Sequence, residues 1–297
     1  MKRIQLTFCI MLLFFIAGCA GGQTAGEEKE AKDEGQTEEE KVRIVATTTA
    51  IAEVMNELEL DLVGIPTTSF PLPERYQDVV EVGNPMKPDM EVIKTLNADK
   101  VLSVTTLEYD LKDSFVNAGI ETEFLNFQSV ESMITTIKEL GGTYHREAQA
   151  EALSQNVESK IEEVQEKTAQ YQSPKVLILL GIPGSYLVAT ENSYVGNLVK
   201  VAGGENAITG FNEEYISANT EYLHEADADV ILRLSHGMPD EVVEMFNSEF
   251  KDNNIWQHFN AVKNNRVYDL REPLFATTAN LNVTNALDEL VDILYVD

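Results

Sequence analysis

Cysteine is almost missing: the 297 residues hold two, Cys9 and Cys19. Cys9 falls inside an apolar amino-terminal run with the layout of a removable signal, so processing leaves one. Such a chain forms no internal disulfide, no thiolate metal cage and no Cys-x-x-Cys-His attachment, and if Cys19 is modified it has no cysteine nucleophile either. Histidine is scarce too, with four in all, and neither His145, His224 nor His258 shares a loop with His236. A zinc or manganese site built from converging imidazoles or carboxylates is therefore disfavoured. Basic residues number 22 against 50 acidic ones, a formal charge of -28. The first 18 residues contribute +2 of this and residues 19–41 contribute -5, which leaves -25 on residues 42–297. So acidic a body does not bind nucleic acid, whose affinity rests on neutralised phosphates, and anionic lipid repels it. The strand-to-helix motif Gly-x-Ser-x-Gly is also missing: Gly184-Ser185-Tyr186-Leu187 opens a strand, which argues against a hydrolase.

What is present begins with Met1-Lys2-Arg3 and an apolar run to Ile16. That run is shorter than the roughly 20 residues needed to span a bilayer and passes directly into Ala17-Gly18-Cys19. Small residues before a cysteine form a lipobox, so residues 1–18 read as a lipoprotein signal peptide and Cys19 as the lipidated residue. Two or more acyl chains anchor a protein stably where one does not. The expected location is the outer face of the cell membrane. Residues 19–41 hold no large apolar side chain and read as a disordered tether.

The remaining chain alternates β-branched runs with helix-like segments, which predicts α/β architecture with parallel sheets. In a first lobe, residues 42–142, strands are predicted at 43–48, 62–65, 100–105 and 123–127, with helices at 50–58, 88–97, 111–118 and 130–140. Across 146–172, Ala150, Leu153, Val157, Ile161 and Val164 recur at three- and four-residue spacings. This predicts one long amphipathic helix in a linking segment, 143–172, about 40 Å long. A second lobe, 173–297, has predicted strands at 176–180, 186–189, 230–234 and 266–270 and helices at 195–201, 220–226, 239–250 and 280–294. The pattern is two similar halves around one helix.

In open α/β sheets ligands bind beyond the carboxyl ends of the strands. Three loops meet that rule: Thr47-Thr48-Thr49-Ala50, Gly83-Asn84-Pro85-Met86-Lys87-Pro88 and Ser235-His236-Gly237-Met238-Pro239. Met86 lies between two prolines, off any periodic apolar face. It is either a loop anchor filling a gap or a ligand. His236, just past a predicted buried strand, is a capping histidine or a ligand. One comes from each lobe, and thioether and imidazole are both competent axial ligands of haem iron.

These segments, with Gly181-Ile182-Pro183-Gly184-Ser185-Tyr186 and Ala202-Gly203-Gly204-Glu205-Asn206, resemble the haem-binding lipoproteins of the iron-regulated surface determinant system of Gram-positive bacteria. The similarity runs across nearly all of residues 42–295. It implies a two-lobed, helix-linked, periplasmic-binding-protein-like fold (class III substrate-binding protein) and a monomer that catalyses nothing. It further implies that the protein takes non-covalent haem from an upstream surface donor and delivers it to an ABC permease with its ATPase. On the same resemblance Met86 and His236 are the axial ligands, Thr49, Ala50, Thr68 and Ser69 contact the haem and its propionates, and Glu91 and Glu221 dock on the permease. Members of that family carry a tyrosine in the loop where this chain has Ser69-Phe70. The other reading, a siderophore or cobalamin carrier, shares the fold but gives a Met and a His no reason to face each other.

Overall fold

The computed structural model describes residues 42–295 except 220–222 and 224. The expectations for the signal peptide, Cys19, the tether and Glu221 fall outside the described residues, as does most of the helix expected at 220–226. Residues 42–297 form one compact unit.

The first sheet holds β1 (Ile44–Ala46), β2 (Gly64–Ile65), β3 (Val80–Glu81), β6 (Lys100–Val104) and β7 (Thr122–Leu125). Its order is β3-β2-β1-β6-β7, and every pairing is parallel. Between β3 and β6 lies a small antiparallel hairpin of β4 (Gly83–Asn84) and β5 (Lys87–Pro88). The crossovers are α1 (Thr49–Glu57), α2 (Met90–Thr95) and α3 (Glu108–Ala118), and α4 (Val130–Thr143) follows the last strand. Oxygens of Thr48, Asp89 and Ser129 accept backbone N–H bonds at the starts of α1, α2 and α4, satisfying donors a helix start otherwise leaves open.

The second sheet runs β11-β9-β8-β12-β13, from β8 (Lys175–Ile182), β9 (Ser185–Ala189), β11 (Tyr215–Ser217), β12 (Val230–Ser235) and β13 (Val267–Arg271), with β10 (Glu205–Asn206) also paired to β8. Its helices include α6 (Tyr194–Val201), α7 (Pro239–Asp252), α8 (Asn260–Lys263) and α9 (Val283–Tyr295). This sheet corrects the expectation of purely parallel pairing. β8, β12 and β13 are parallel, but β9 is antiparallel to β8 and β11 to β9. The cause is Pro183-Gly184, a two-residue turn with Gly184 at φ 81°. Proline fixes φ at the first turn position and glycine tolerates positive φ at the second, so the chain reverses at once.

α5 (Glu147–Thr168) lies between the sheets in the chain. Its 22 residues make it about 33 Å long, slightly shorter than expected. One face buries Ala150, Ser154, Val157 and Val164. It packs on α4 from the first half of the chain and α9 from the second, and Lys160 Nζ meets Asp288 Oδ1 of α9 at 3.0 Å. One apolar cluster therefore runs from Ile44 and Leu102 through Val157 and Val164 to Leu287 and Leu290.

The α4–α5 approach depends on Gly141, because a Cβ there would overlap that of Ala150. Gly141→Ala should cost about 2 kcal/mol of stability despite alanine's better helix propensity, since over-packing forces the helices apart. Gly142→Ala, where nothing lies within 4 Å of the added methyl, should be neutral or slightly stabilising. Urea unfolding of both variants checks the contrast.

Candidate haem-iron site

The carboxyl ends of β1, β2, β3 and β6 share one edge of the first sheet, and those of β8, β12 and β13 share one edge of the second. Loops from the two edges meet at one point, and the residues beside it touch other parts of the second half of the chain. Ala279 N, after β13, donates to Phe127 O, after β7, at 2.8 Å. Gln128 Nε2 donates to Glu214 Oε1 at 2.6 Å, and Val130 N to Asn197 Oδ1 at 2.9 Å. The two carboxyl edges are thus joined at Phe127 and Ala279.

On the first edge, Thr47 and Thr48 are buried, with the Thr47 hydroxyl donating to Leu102 O at 3.0 Å and Thr48 capping α1. Thr49 is half-buried and Ala50 buried, both in the first turn of α1. Among the described residues Thr48 caps only the Ile51 amide of this turn, and a helix start carries the positive end of the dipole, which favours an anion. Thr68 and Ser69 follow β2. Thr68 is half-buried and its Oγ1 accepts from Phe70 N at 3.1 Å, whereas Ser69 is exposed.

Met86 does not sit in an open loop. It occupies the tip of the β4–β5 hairpin, where Pro85 and Met86 are the two turn residues. Its N–H is held by Asn84 Oδ1 at 2.9 Å. The hairpin is tied at its base by Asp89 N to Val82 O at 2.7 Å and Thr67 N to Gly83 O at 2.9 Å. Its side chain is 57% exposed, so it fills no gap in the core.

His236 is placed by strand register. Ser235 of β12 pairs with Arg271 of β13, so the next residues, His236 and Glu272, leave the sheet side by side. His236 N donates to Gly181 O at 3.1 Å, and His236 Nδ1 lies 2.7 Å from Glu272 Oε1. A carboxylate only accepts, so Nδ1 carries a proton, and in the neutral ring Nε2 presents its lone pair. The Glu272 hydrogen bond raises the His236 pKa from its ordinary value, burial opposes this, and the Glu272 charge adds to it. Metal-binding histidines are commonly oriented by such a carboxylate. The sequence reading missed Glu272; only the order of β12 and β13 reveals it.

Beneath His236, Arg233 pairs with Asp269 at 2.8 and 2.7 Å and with Asn247 Oδ1 at 3.1 Å. Its guanidinium lies 5.5 Å from the Phe246 ring centre and 5.1 Å from that of Phe250. Glu91, in the first turn of α2, is exposed and bonded to Lys94 at 3.2 Å. Among the described residues no three His, Cys, Asp or Glu converge as a metal cage, so an iron held by Met86 and His236 has to bring its other ligands with it, as a porphyrin does. The donor set fits that group.

Two α/β sheets bridged by one packed helix, with donor groups beyond the carboxyl edges of both, define a substrate-binding protein of the helix-linked class. The chain belongs to the periplasmic binding protein family, which it matches over residues 44–274, and the expected fold class is borne out. It is 43% identical over 293 residues to the high-affinity heme uptake system protein IsdE of Staphylococcus aureus strain Newman, covering 98% of this chain and 97% of that protein. Its structure is similar to that of S. aureus IsdE complexed with heme, with TM-score 0.83, 47% identity, and 86% of this chain and 99% of that one covered. An ABC transporter substrate-binding protein from Listeria monocytogenes EGD-e gives TM-score 0.83 at 54% identity, covering 86% of this chain and 100% of that one. The family resemblance read from the sequence is therefore upheld.

Arg233 is a buried charge whose loss strands Asp269. Arg233→Met should cost about 3 kcal/mol, whereas the double variant with Asp269→Asn should recover part of that loss. Guanidinium unfolding curves for the single and double variants decide it.

Proposed function

We propose that this protein is a haem-binding lipoprotein that receives haem at the cell surface and hands it to an ABC-type permease for iron acquisition, without catalysing a reaction. The observation that carries the reading is the pair of donors. An exposed thioether stands at a tied-down hairpin tip, and an imidazole has its Nδ1 engaged and its Nε2 free. Met86 and His236 would be the axial ligands, and the porphyrin would supply the equatorial nitrogens. Thr49 and Ala50 would receive propionate at the start of α1, with Thr68 and Ser69 beside them. The relatives named above are a heme uptake protein and its heme complex, which supports the same ligand here.

The anchor in this reading is the lipid on Cys19, which puts the folded body on the outer face of the cell membrane as a monomer, tethered through residues 19–41. Among the described residues no helix is long and apolar enough to cross a membrane. An upstream surface protein would donate the haem. The folded body repels anionic lipid and phosphate alike, so it contacts neither membrane nor nucleic acid through its own surface.

The ligand assignment predicts a six-coordinate, largely low-spin spectrum on haemin addition, with the soft sulfur favouring the ferrous state relative to a bis-imidazole site. His236→Ala should weaken binding most, because imidazole ligates both oxidation states well. Met86→Ala should retain haem but shift the spectrum. Unchanged spectra in both variants would refute the pair.

Permease docking would use Glu91 and Glu221, one carboxylate from each lobe. Glu91 is exposed, and among the described residues its ion pair is the local bond to Lys94, worth only tenths of a kcal/mol. Charges of this kind set register and encounter rate more than affinity. The Glu91→Ala, Glu221→Ala double variant should titrate haemin normally in vitro yet fail to support growth on haem as the sole iron source. Normal growth would return both residues to plain helix stabilisation.

A further inference from the structure

Met238 breaks two local rules at once. Its backbone is left-handed, at φ 44° and ψ 57°, directly after Gly237 at φ 63°. A side chain there crowds the carbonyl oxygen, so glycine or asparagine is the usual occupant. Met238 is also the N-cap of α7, and no side-chain hydrogen bond caps this 14-residue helix. Ser, Thr, Asp or Asn would supply that bond and methionine cannot. Packing does not explain the choice, because Met238 is 53% exposed. Locally unfavourable choices without a structural return are expected where a residue serves function. Met238 follows His236 by two residues beyond the carboxyl edge of the second sheet, and Met86 is an exposed methionine beyond that of the first. Thioethers are polarisable and adapt to an aromatic surface.

We propose that Met238 is a haem contact on the imidazole side of the site, positioned against the macrocycle and shielding the iron–imidazole bond from water, so that it sets how slowly haem leaves. The inference rests on the haem reading above. It assigns Met238 an apolar contact, with Met86 and His236 kept as the ligands.

Met238→Asn separates the contact from the fold, because asparagine suits both the left-handed backbone and the N-cap. The full-length protein in detergent is loaded with haemin, and transfer to excess apomyoglobin is followed in the Soret band. The ligand-free variant should melt at or above the wild-type temperature, its loaded form should stay six-coordinate, and transfer should be about tenfold faster. Met238→Leu, which keeps apolar volume in the site, should transfer close to the wild-type rate. A wild-type rate in Met238→Asn overturns the contact while leaving the haem reading intact. Loss of the low-spin spectrum in Met238→Asn together with its retention in Met86→Ala overturns it also, by making Met238 the ligand. If the wild-type protein takes up no haemin, the haem reading itself fails, and the contact with it.

Discussion

Everything in this fold depends on the packing of α5 between α4 and α9. A helix that merely connected two lobes would be solvated along most of its length. This one buries Ala150, Val157 and Val164 in the same apolar cluster that holds Ile44 of the first sheet and Leu290 of α9. Interiors are close-packed and bistable rather than continuously deformable, so the two sheet edges are held at a set separation by side-chain volume. The consequence for the site is direct. Donors on opposite edges can be matched to a rigid planar ligand only if the edges do not wander, and Gly141 against Ala150 shows how little room that packing leaves.

Given fixed edges, the chemistry is set by strand register. Arg233 pairs with Asp269 across β12 and β13, and two residues further along the Ser235–Arg271 pair ends the ladder. His236 and Glu272 therefore emerge together, and the carboxylate selects the tautomer that leaves Nε2 open. A one-residue slip in this ladder would turn every side chain to the opposite face. The Arg233 network opposes such a slip, since a slipped strand would leave a buried guanidinium without its carboxylate. Specificity of register is the best-attested use of a buried ion pair, and here it acts three residues from a candidate iron ligand.

Much of this was legible in the sequence, and the reason is local. The long helix is readable because Ala150, Leu153, Val157, Ile161 and Val164 repeat at helical spacing, and the buried strands because β8 and β12 are apolar almost throughout. Met86 and His236 stand out because each interrupts a loop that needs neither. What stayed hidden is what depends on neighbours remote in the chain. Glu272 looks like one of 50 acids until β13 is known to lie beside β12. The antiparallel turn of β9 hinges on Pro183-Gly184, a signal present in the sequence but outweighed by the α/β pattern around it. The Gln128–Glu214 bond between the two halves lies between residues 86 apart, and no periodicity reports such a pair.

The two exposed methionines show how rigidity and availability are reconciled. A large apolar side chain left in water forfeits the burial it would gain in a core, on the order of 1.5–3 kcal/mol for full burial. The chain nevertheless holds Met86 and Met238 out on backbone that is unusually well fixed. At Met86 the Asn84 bond and the ties at Val82 and Gly83 hold the hairpin, and at Met238 a left-handed turn leads into Pro239 at the start of α7. Fixing the backbone before a ligand arrives removes an ordering cost that binding would otherwise carry, and under the proposed contacts the exposed sulfurs would keep their burial free energy for that event. A carrier has a further need, since it must also release its cargo. Under the proposed contacts, thioethers on short turns outside the core could be released without any part of the packing around α5 being rebuilt.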